Sequence, residues 1–438
     1  LKPSGFELQQ PSVADCAMAS LGLRNWSGNL RYQAKTLHRP LGIEQIQDIV
    51  QRSDSLRVLG SRHCFNAIAD AEELLSLEDM KAIVFLDKEM QRVTVQAGIT
   101  YGELCPWLHA HGFALHNLAS LPHISIAGAV ATATHGSGHG NGNLAVAVAG
   151  LRLVTGQGDV VVLDEDDDVA ALHAAVVGLG CLGVVTELTL RLQPSFCVRQ
   201  RVFGGLRLQG LTQERLDDVL GAGYSVSLFT TWQPLPGEAE DVEFQIWLKQ
   251  RVGDAEAGPA PGEVVPAALA GCVEFTEAQH PLGLDASVCT DQTCAGPWHE
   301  RLPHFRFEFQ PSFGEELQSE YFVPRARAAE SLRAVQAVAP TFVPFLYVSE
   351  IRAVAADSLL LSPHSARLAG EAGCVGLHFT WHLKQEEVMG IALPALERAL
   401  EPFSARPHWG KLFAMPRERI EELYGSALVE FRALRDRF

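Results

Sequence analysis

Residues 119–143 read ASLPHISIAGAVATATHGSGHGNGN, and this run constrains the chain more than any other stretch. Side chains this small leave little to pack into a core, so the segment serves close approach of its backbone to a flat, polar ligand. The glycines Gly136, Gly138, Gly140 and Gly142 alternate instead of spelling GxGxxG between a strand and a helix, which argues against a Rossmann turn. His135 and His139 come with neither an HExxH pattern nor a third ligand, so no metal site is expected.

Composition narrows the class. The 438 residues are 47% hydrophobic, enough for two domains or one large domain with a cap. With 52 acidic against 35 basic residues the net charge is -17, and no Lys/Arg run is long enough to neutralise a phosphate backbone, so nucleic acid is not an expected partner. The cysteines Cys16, Cys64, Cys105, Cys181, Cys197, Cys272, Cys289, Cys294 and Cys374 contain no CxxC pair and read as reduced thiols of a cytoplasmic protein. Nowhere do 18 apolar residues run together, and no basic stretch leads into an apolar one near the start, so neither a membrane span nor export is expected. The first residue is Leu1, which fits a trimmed terminus.

Residues 1–25 lack periodicity and read as an arm. Residues 26–195 alternate short β-rich runs, at 57–59, 82–86, 92–96, 151–154, 160–163 and 184–192, with turns and a few helices. Thr100 and Glu103 have capping-box spacing, and Gly112 supplies the stop for the helix they open. A domain boundary falls near Pro194. Beyond it, strands are expected at 225–230, 243–249, 317–323, 345–354 and 374–382, with helices at 325–338 and 385–400 despite Pro394 and a linker-like passage at 253–266.

Two further stretches carry chemistry. The run Val58-Leu59-Gly60-Ser61-Arg62-His63-Cys64-Phe65-Asn66 is a strand emptying into a small-residue turn whose free N–H groups suit a pyrophosphate, although on spacing alone a plain turn with a satisfied His is favoured. Downstream stand SEIR at 349–352, LHFTW at 377–381 and RPHWGK at 406–411. Residues i and i+2 of a strand point the same way, so Glu350 and Arg352 share one face, as do His378 and Thr380. With Lys411 they would gather a carboxylate, an imidazole and two cations, the set alcohol oxidation uses: a base for the hydroxyl proton and positive charge beside the developing alkoxide. Solvated faces of an antiparallel sheet explain the same pattern equally well.

In order and together, the strand-turn-His, the ASLPHISIAGAVATATHGSGHGNG block and the three downstream segments resemble the alditol oxidases, within the vanillyl-alcohol-oxidase-type flavoproteins, from about Asn25 to the end. The resemblance implies an α+β, two-domain FAD-binding fold of the vanillyl-alcohol-oxidase (PCMH) type: an FAD-binding domain over 26–195, a mixed-sheet substrate-binding cap over 196–408, and 409–438 returning to the FAD domain. It implies FAD attached covalently through His63 and lined by Val58, Leu59, Gly60, Ser61, Arg62, Cys64, Ser120, Ser125, Gly128, Ala131, Thr132, Ala133, Thr134 and Val185. Ser120, Glu350, Arg352, His378, Thr380 and Lys411 would line the substrate site, with Arg352, Lys411, Glu350 and His378 as the catalytic set. The implied reaction is oxidation of the terminal primary alcohol of an acyclic polyol, xylitol or sorbitol for example, to the aldose, with O2 reoxidising the flavin to give hydrogen peroxide. Each hydroxyl left unpaired costs about 1–3 kcal/mol, which is how such a pocket discriminates.

Three departures matter. Arg62 stands where the family has Gly, so a turn requiring positive φ is strained there. Cys64 replaces a Ser, and the sequence stops at Phe438 where a further segment returning to the flavin is expected. The alternatives are a sugar-lactone oxidase or polyol dehydrogenase of the same family, a non-catalytic flavin- or carbohydrate-binding protein, and last a zinc hydrolase. No oligomeric state follows from the sequence, and a monomer is compatible with it.

Overall fold

The computed structural model describes residues 21–235, 237, 241–253, 265–309 and 315–438. Strict alternation of buried and half-buried residues along Arg92–Gln96 and Val184–Arg191 makes each of these strands one-sided, and they lie side by side at the centre of an antiparallel sheet. Its order is Ile83–Asp87, Arg92–Gln96, Val184–Arg191, Val148–Val154, Val160–Asp164. A three-stranded parallel sheet, Thr36–His38, Glu73–Ser76, Leu56–Leu59, stands beside it. The helix Ile43–Arg52 drops Ile46 and Ile49 into the shared core.

The helix Tyr101–Ala110 begins at the expected capping box: Glu103 N–H donates to Thr100 Oγ1 and Thr100 N–H to Glu103 Oε2, at 3.2 and 3.0 Å. It ends where Gly112 takes φ 85°. The expected arm needs correction at its end. Leu21 N–H donates to Ala34 O and Tyr32 N–H to Leu23 O, so the chain is already paired before Asn25. Backbone ladders need no side-chain periodicity, which is why the pattern gave no sign of this one. Residues 1–20 and 254–264, on which most of the arm and the linker-like passage fall, lie outside the described residues.

From Cys197 the chain builds a nine-stranded antiparallel sheet. Its central order is Cys197–Arg207, Glu243–Val252, Ser225–Thr230, Leu346–Val354, Cys374–His382, Glu316–Pro324. One face is apolar: Leu228, Ile246, Ile351, Leu377, Phe379 and Trp381 pack with Leu216, Leu332, Val335, Phe342 and Leu396 of the helices Gln213–Leu220, Ala328–Phe342 and Leu393–Leu400. The expected helix over 385–400 is three segments, Gln385–Glu387, a π-turn at Val388–Ala392 and Leu393–Leu400. Pro394 follows directly on the π-turn, where the helical ladder is already irregular. The alternate residues of the same strands form the opposite, polar face. The final helix, Arg417–Arg435, sends Tyr424, Phe431 and Leu434 into the first core. Among the described residues no helix is long and apolar enough to cross a membrane.

Candidate active site

The strand Leu56–Leu59 ends in a turn that lies against the start of the short helix Ile126–Ala131. Ser125 N–H donates to Ser61 Oγ at 3.1 Å, and a Cβ on Gly60 would stand 2.7 Å from Ser125 Oγ, so glycine lets the two segments meet without the Ser125 hydroxyl moving. Among the described residues, no hydrogen bond has the amides of Ser61, Arg62, His63 or Cys64 as donor, and Ser125 Oγ is buried without a partner. Gly60 and Gly128 expose bare backbone beside them. Free N–H groups, an orphaned hydroxyl and exposed glycine backbone are what a pyrophosphate-bearing cofactor requires, so these residues fit FAD. Ala131 and Thr134 follow half-buried and Thr132 and Ala133 buried, with Ala131 O accepting from Leu179 N–H; Val185 lies half-buried in its strand.

Arg62 has φ 63°, the left-handed region that glycine tolerates best. The strain is held by neighbours: Trp26 N–H donates to Arg62 O, Asn25 Nδ2 to Cys64 O and Phe65 N–H to Gly410 O. The His63 ring stacks on Trp26, with Nδ1 3.1 Å from Ser61 Oγ. Burial, and after it His123, pushes His63 down to about 4, leaving the imidazole neutral. Burial pushes the Cys64 thiol up to about 11, so it stays protonated. Asn66, unremarked in the sequence, donates to both Trp409 O and Lys411 O at 2.8 Å and ties this turn to the RPHWGK segment.

Register builds the second half of the site. Glu320, His378 and Glu350 are direct cross-strand partners on three adjacent strands, so their side chains rise from the same face in one row. Arg352 is one pleat along from Glu350, and Thr380 one pleat the other way, opposite Gln318 and Val348. These faces are not solvated: Glu350, Arg352 and His378 are buried and the Glu320 side chain is 0% exposed. Glu320 receives Lys411 Nζ at 2.7 Å, Arg352 Nη2 at 3.1 Å and the ring of His135 at 3.0 Å. Arg352 Nη1 reaches Ser120 Oγ at 3.4 Å, joining the cluster to the Gly-rich segment. All six residues expected to line a substrate site thus lie on or against one polar face, next to the turn that follows Leu59.

The electrostatics separate charged from neutral members. Burial works against ionising Glu320, but Lys411, His135 and Arg352 outweigh it and hold the carboxyl well below its ordinary range. The same balance keeps Glu350 ionised, through Arg352 and His304. Burial draws Lys411 below the usual ammonium range, with Glu320 opposing, and burial pushes His378 down to about 3. Gln318 Nε2 donates to Glu316, which leaves Gln318 Oε1 to accept from His378 Nε2 and the His378 Nδ1 lone pair free.

Sequence reasoning missed Glu320, Gln318, His135 in this role, His304 and Lys249. Glu320 had a usable signal, being alternate with Gln318 in a strand already expected, but nothing in one dimension set it opposite His378. The Gly-rich run divides in use. Its first part meets the cofactor turn, whereas the second part packs backbone on backbone: Gly138, at φ 137°, donates its N–H to Ala353 O, and a Cβ there would stand 2.4 Å from Tyr224 O. His135 and His139 face different carboxylates, Glu320 and Asp217.

Residues 36–164 match the family described as FAD binding domain, and residues 307–438 match D-arabinono-1,4-lactone oxidase. Over 421 residues, 95% of each chain, the sequence is 45% identical to an alditol oxidase of Streptomyces sp.. It is 27% identical over 428 residues to an L-gulono-1,4-lactone dehydrogenase of Mycobacterium tuberculosis and 25% identical over 446 residues to the L-gulonolactone oxidase of Bos taurus, each covering 94% of both chains.

Proposed function

The chain belongs to the alditol oxidase family of FAD-dependent oxidoreductases acting on CH–OH groups, and on that premise we propose that it oxidises the terminal primary alcohol of an acyclic polyol such as xylitol or sorbitol to the aldose, with O2 reduced to hydrogen peroxide. The observation that carries this reading is the meeting of buried Arg352 and half-buried Lys411 over one carboxylate beside Ser120, with Asn66 tying the Lys411 segment to the turn that follows Leu59. FAD, when bound, would supply the hydride acceptor and the two-electron link to O2.

Val58, Leu59, Gly60, Ser61, Arg62, His63, Cys64, Ser120, Ser125, Gly128, Ala131, Thr132, Ala133, Thr134 and Val185 would hold it, with His63 as the covalent attachment. The neutral His63 ring supports attachment, since only the unprotonated imidazole offers a nucleophilic lone pair. Arg352 and Lys411 place positive charge where the hydroxyl oxygen becomes an alkoxide, and Glu320 keeps both cations aimed and compensated. Glu350 accepts from a substrate hydroxyl, His378 Nδ1 from another, and Ser120 and Thr380 complete the hydroxyl contacts. Free thiols at Cys64, Cys105, Cys181, Cys272, Cys289, Cys294 and Cys374 support a reducing, cytoplasmic setting.

Three measurements test this. Acid precipitation of the purified protein is expected to leave the yellow colour in the pellet, and anaerobic xylitol to bleach it; colour released to the supernatant would refute the His63 bond. An oxygen-coupled assay should yield peroxide from xylitol and sorbitol faster than from a sugar lactone, and the reverse order would refute the polyol reading. Lys411→Met should slow flavin reduction about 10²–10³-fold, the usual cost of one preorganised charge at a developing oxyanion, and an unchanged rate would remove Lys411 from the chemistry.

A further inference from the structure

Lys249, in the strand Glu243–Val252, is 1% exposed, and a lysine this buried requires partners for all three of its protons. It has them. Nζ donates to Leu302 O at 2.6 Å and Pro303 O at 2.9 Å, and lies 3.2 Å from His304 Nδ1. An ammonium can only donate, so His304 Nδ1 carries the lone pair and the ring proton sits on Nε2. That Nε2 lies 2.6 Å from Glu350 Oε1, the same oxygen that faces Arg352 Nε at 3.5 Å. The backbone of His304 has a second task, its N–H donating to Ser120 O at 3.2 Å. Phe229 and Trp247 present their rings to the imidazole at steep angles and wall it from solvent. One buried residue therefore touches two groups assigned to the substrate, and one buried ammonium sets its tautomer.

We propose that Lys249 and His304 are a positioning pair for alcohol oxidation: the ammonium fixes the His304 tautomer, the Nε2–H fixes Glu350 as an oriented carboxylate, and the His304 amide holds Ser120. The proposal rests on the reading that Glu350 and Ser120 face the polyol. Charge supports it. Burial pushes His304 down to about 4, so the ring is a neutral donor at neutral pH, while burial, partly offset by Glu350, draws Lys249 down to about 7, so the ammonium that fixes the tautomer is fully formed only below that pH. A neutral donor lets Glu350 keep its full charge for Arg352 and a substrate hydroxyl.

The test compares the flavin-loaded enzyme with His304→Leu, His304→Gln and Lys249→Met by anaerobic stopped-flow reduction with xylitol and, separately, by reoxidation of dithionite-reduced enzyme with O2. His304→Leu and Lys249→Met are expected to raise the xylitol KM about 10- to 100-fold, the weight of a hydrogen bond to a carboxylate, with reoxidation by O2 unchanged. His304→Gln, which keeps an N–H for Glu350, should recover part of that loss. In a Glu350→Gln background, His304→Leu should add little, because the group it positions is gone. Unchanged KM in His304→Leu, or a loss that is fully additive with Glu350→Gln, overturns the positioning role. Should Lys249→Met fail to accumulate, the His304 pair decides alone. Failure of xylitol and every other polyol to bleach the unmodified enzyme overturns the functional reading, and this proposal with it, which separates that failure from normal bleaching with an indifferent His304.

Discussion

Glu320→Gln is expected to destabilise the fold by about 3–5 kcal/mol and to slow polyol oxidation as well, because it strips the charge from the carboxylate that pairs buried Arg352 and half-buried Lys411. Arg352 and Lys411 both point at this one fully buried group, at 3.1 and 2.7 Å. The amide is isosteric, so the loss reports charge and not a cavity. With Glu320 neutral the two cations face each other across a low-dielectric gap, and Lys411, already drawn down by burial, gives up its proton first. The double variant Glu320→Gln/Lys411→Met should therefore recover part of the stability while remaining inactive. Chemical denaturation of the three proteins measures this. A Glu320→Gln protein as stable as the parent would mean that water reaches the pair and the site is open.

The second large effect is on acid stability. The thermal midpoint should fall steeply below about 6.5, the value at which histidines in the unfolded chain begin to take up protons. In the fold, burial holds His63 and His304 at about 4 and His378 at about 3. His135, His364 and His408 are pushed down by burial too. The sign follows directly. Between the two values the unfolded chain binds protons that the folded chain refuses, so this stability is present above about 6.5 and is lost as pH falls toward 4. His304 and His378, both well buried, each withdraw on the order of 3 kcal/mol. Two groups act the other way: burial raises Asp357 to about 6 and Glu397 above its ordinary range, which adds stability as pH falls. Two half-buried carboxyls do not offset several histidines, so the net slope is acid-destabilising. A midpoint that rises from pH 7 to 5 would contradict this, and His304→Gln should make the slope shallower.

Much of the first region was legible because its signals are local. The capping box at Thr100 and Glu103, the strand Arg92–Gln96 and the strand Cys374–His382 stand where periodicity places them. The strained Arg62 was legible only through the family resemblance, which puts Gly at that position of the turn. The paired segment before Asn25 was not, as it is held by backbone bonds that leave no pattern in side chains. The functional motifs SEIR, LHFTW and RPHWGK announced themselves as polar residues inside strand-like text. Glu320 sat in similar text, SEYFV, and passed as an ordinary strand.

The sequence by itself determined most of the strands, their faces and the chemical inventory of the site, because alternation with period two and the identity of each side chain are properties of a single stretch of chain; Thr36–His38, Glu73–Ser76 and Cys197–Arg207 went unread. What only the tertiary structure decided is which inventory members meet. Register set Glu320 opposite His378 and His378 opposite Glu350, and packing of the sheet's polar face brought Lys249, His304 and Lys411 from other segments to that row. Solvated strand faces and a catalytic cluster look alike in one dimension. They differ only in whether other parts of the chain exclude water from them, and that depends on contacts between residues as distant in sequence as Ser120 and Arg352.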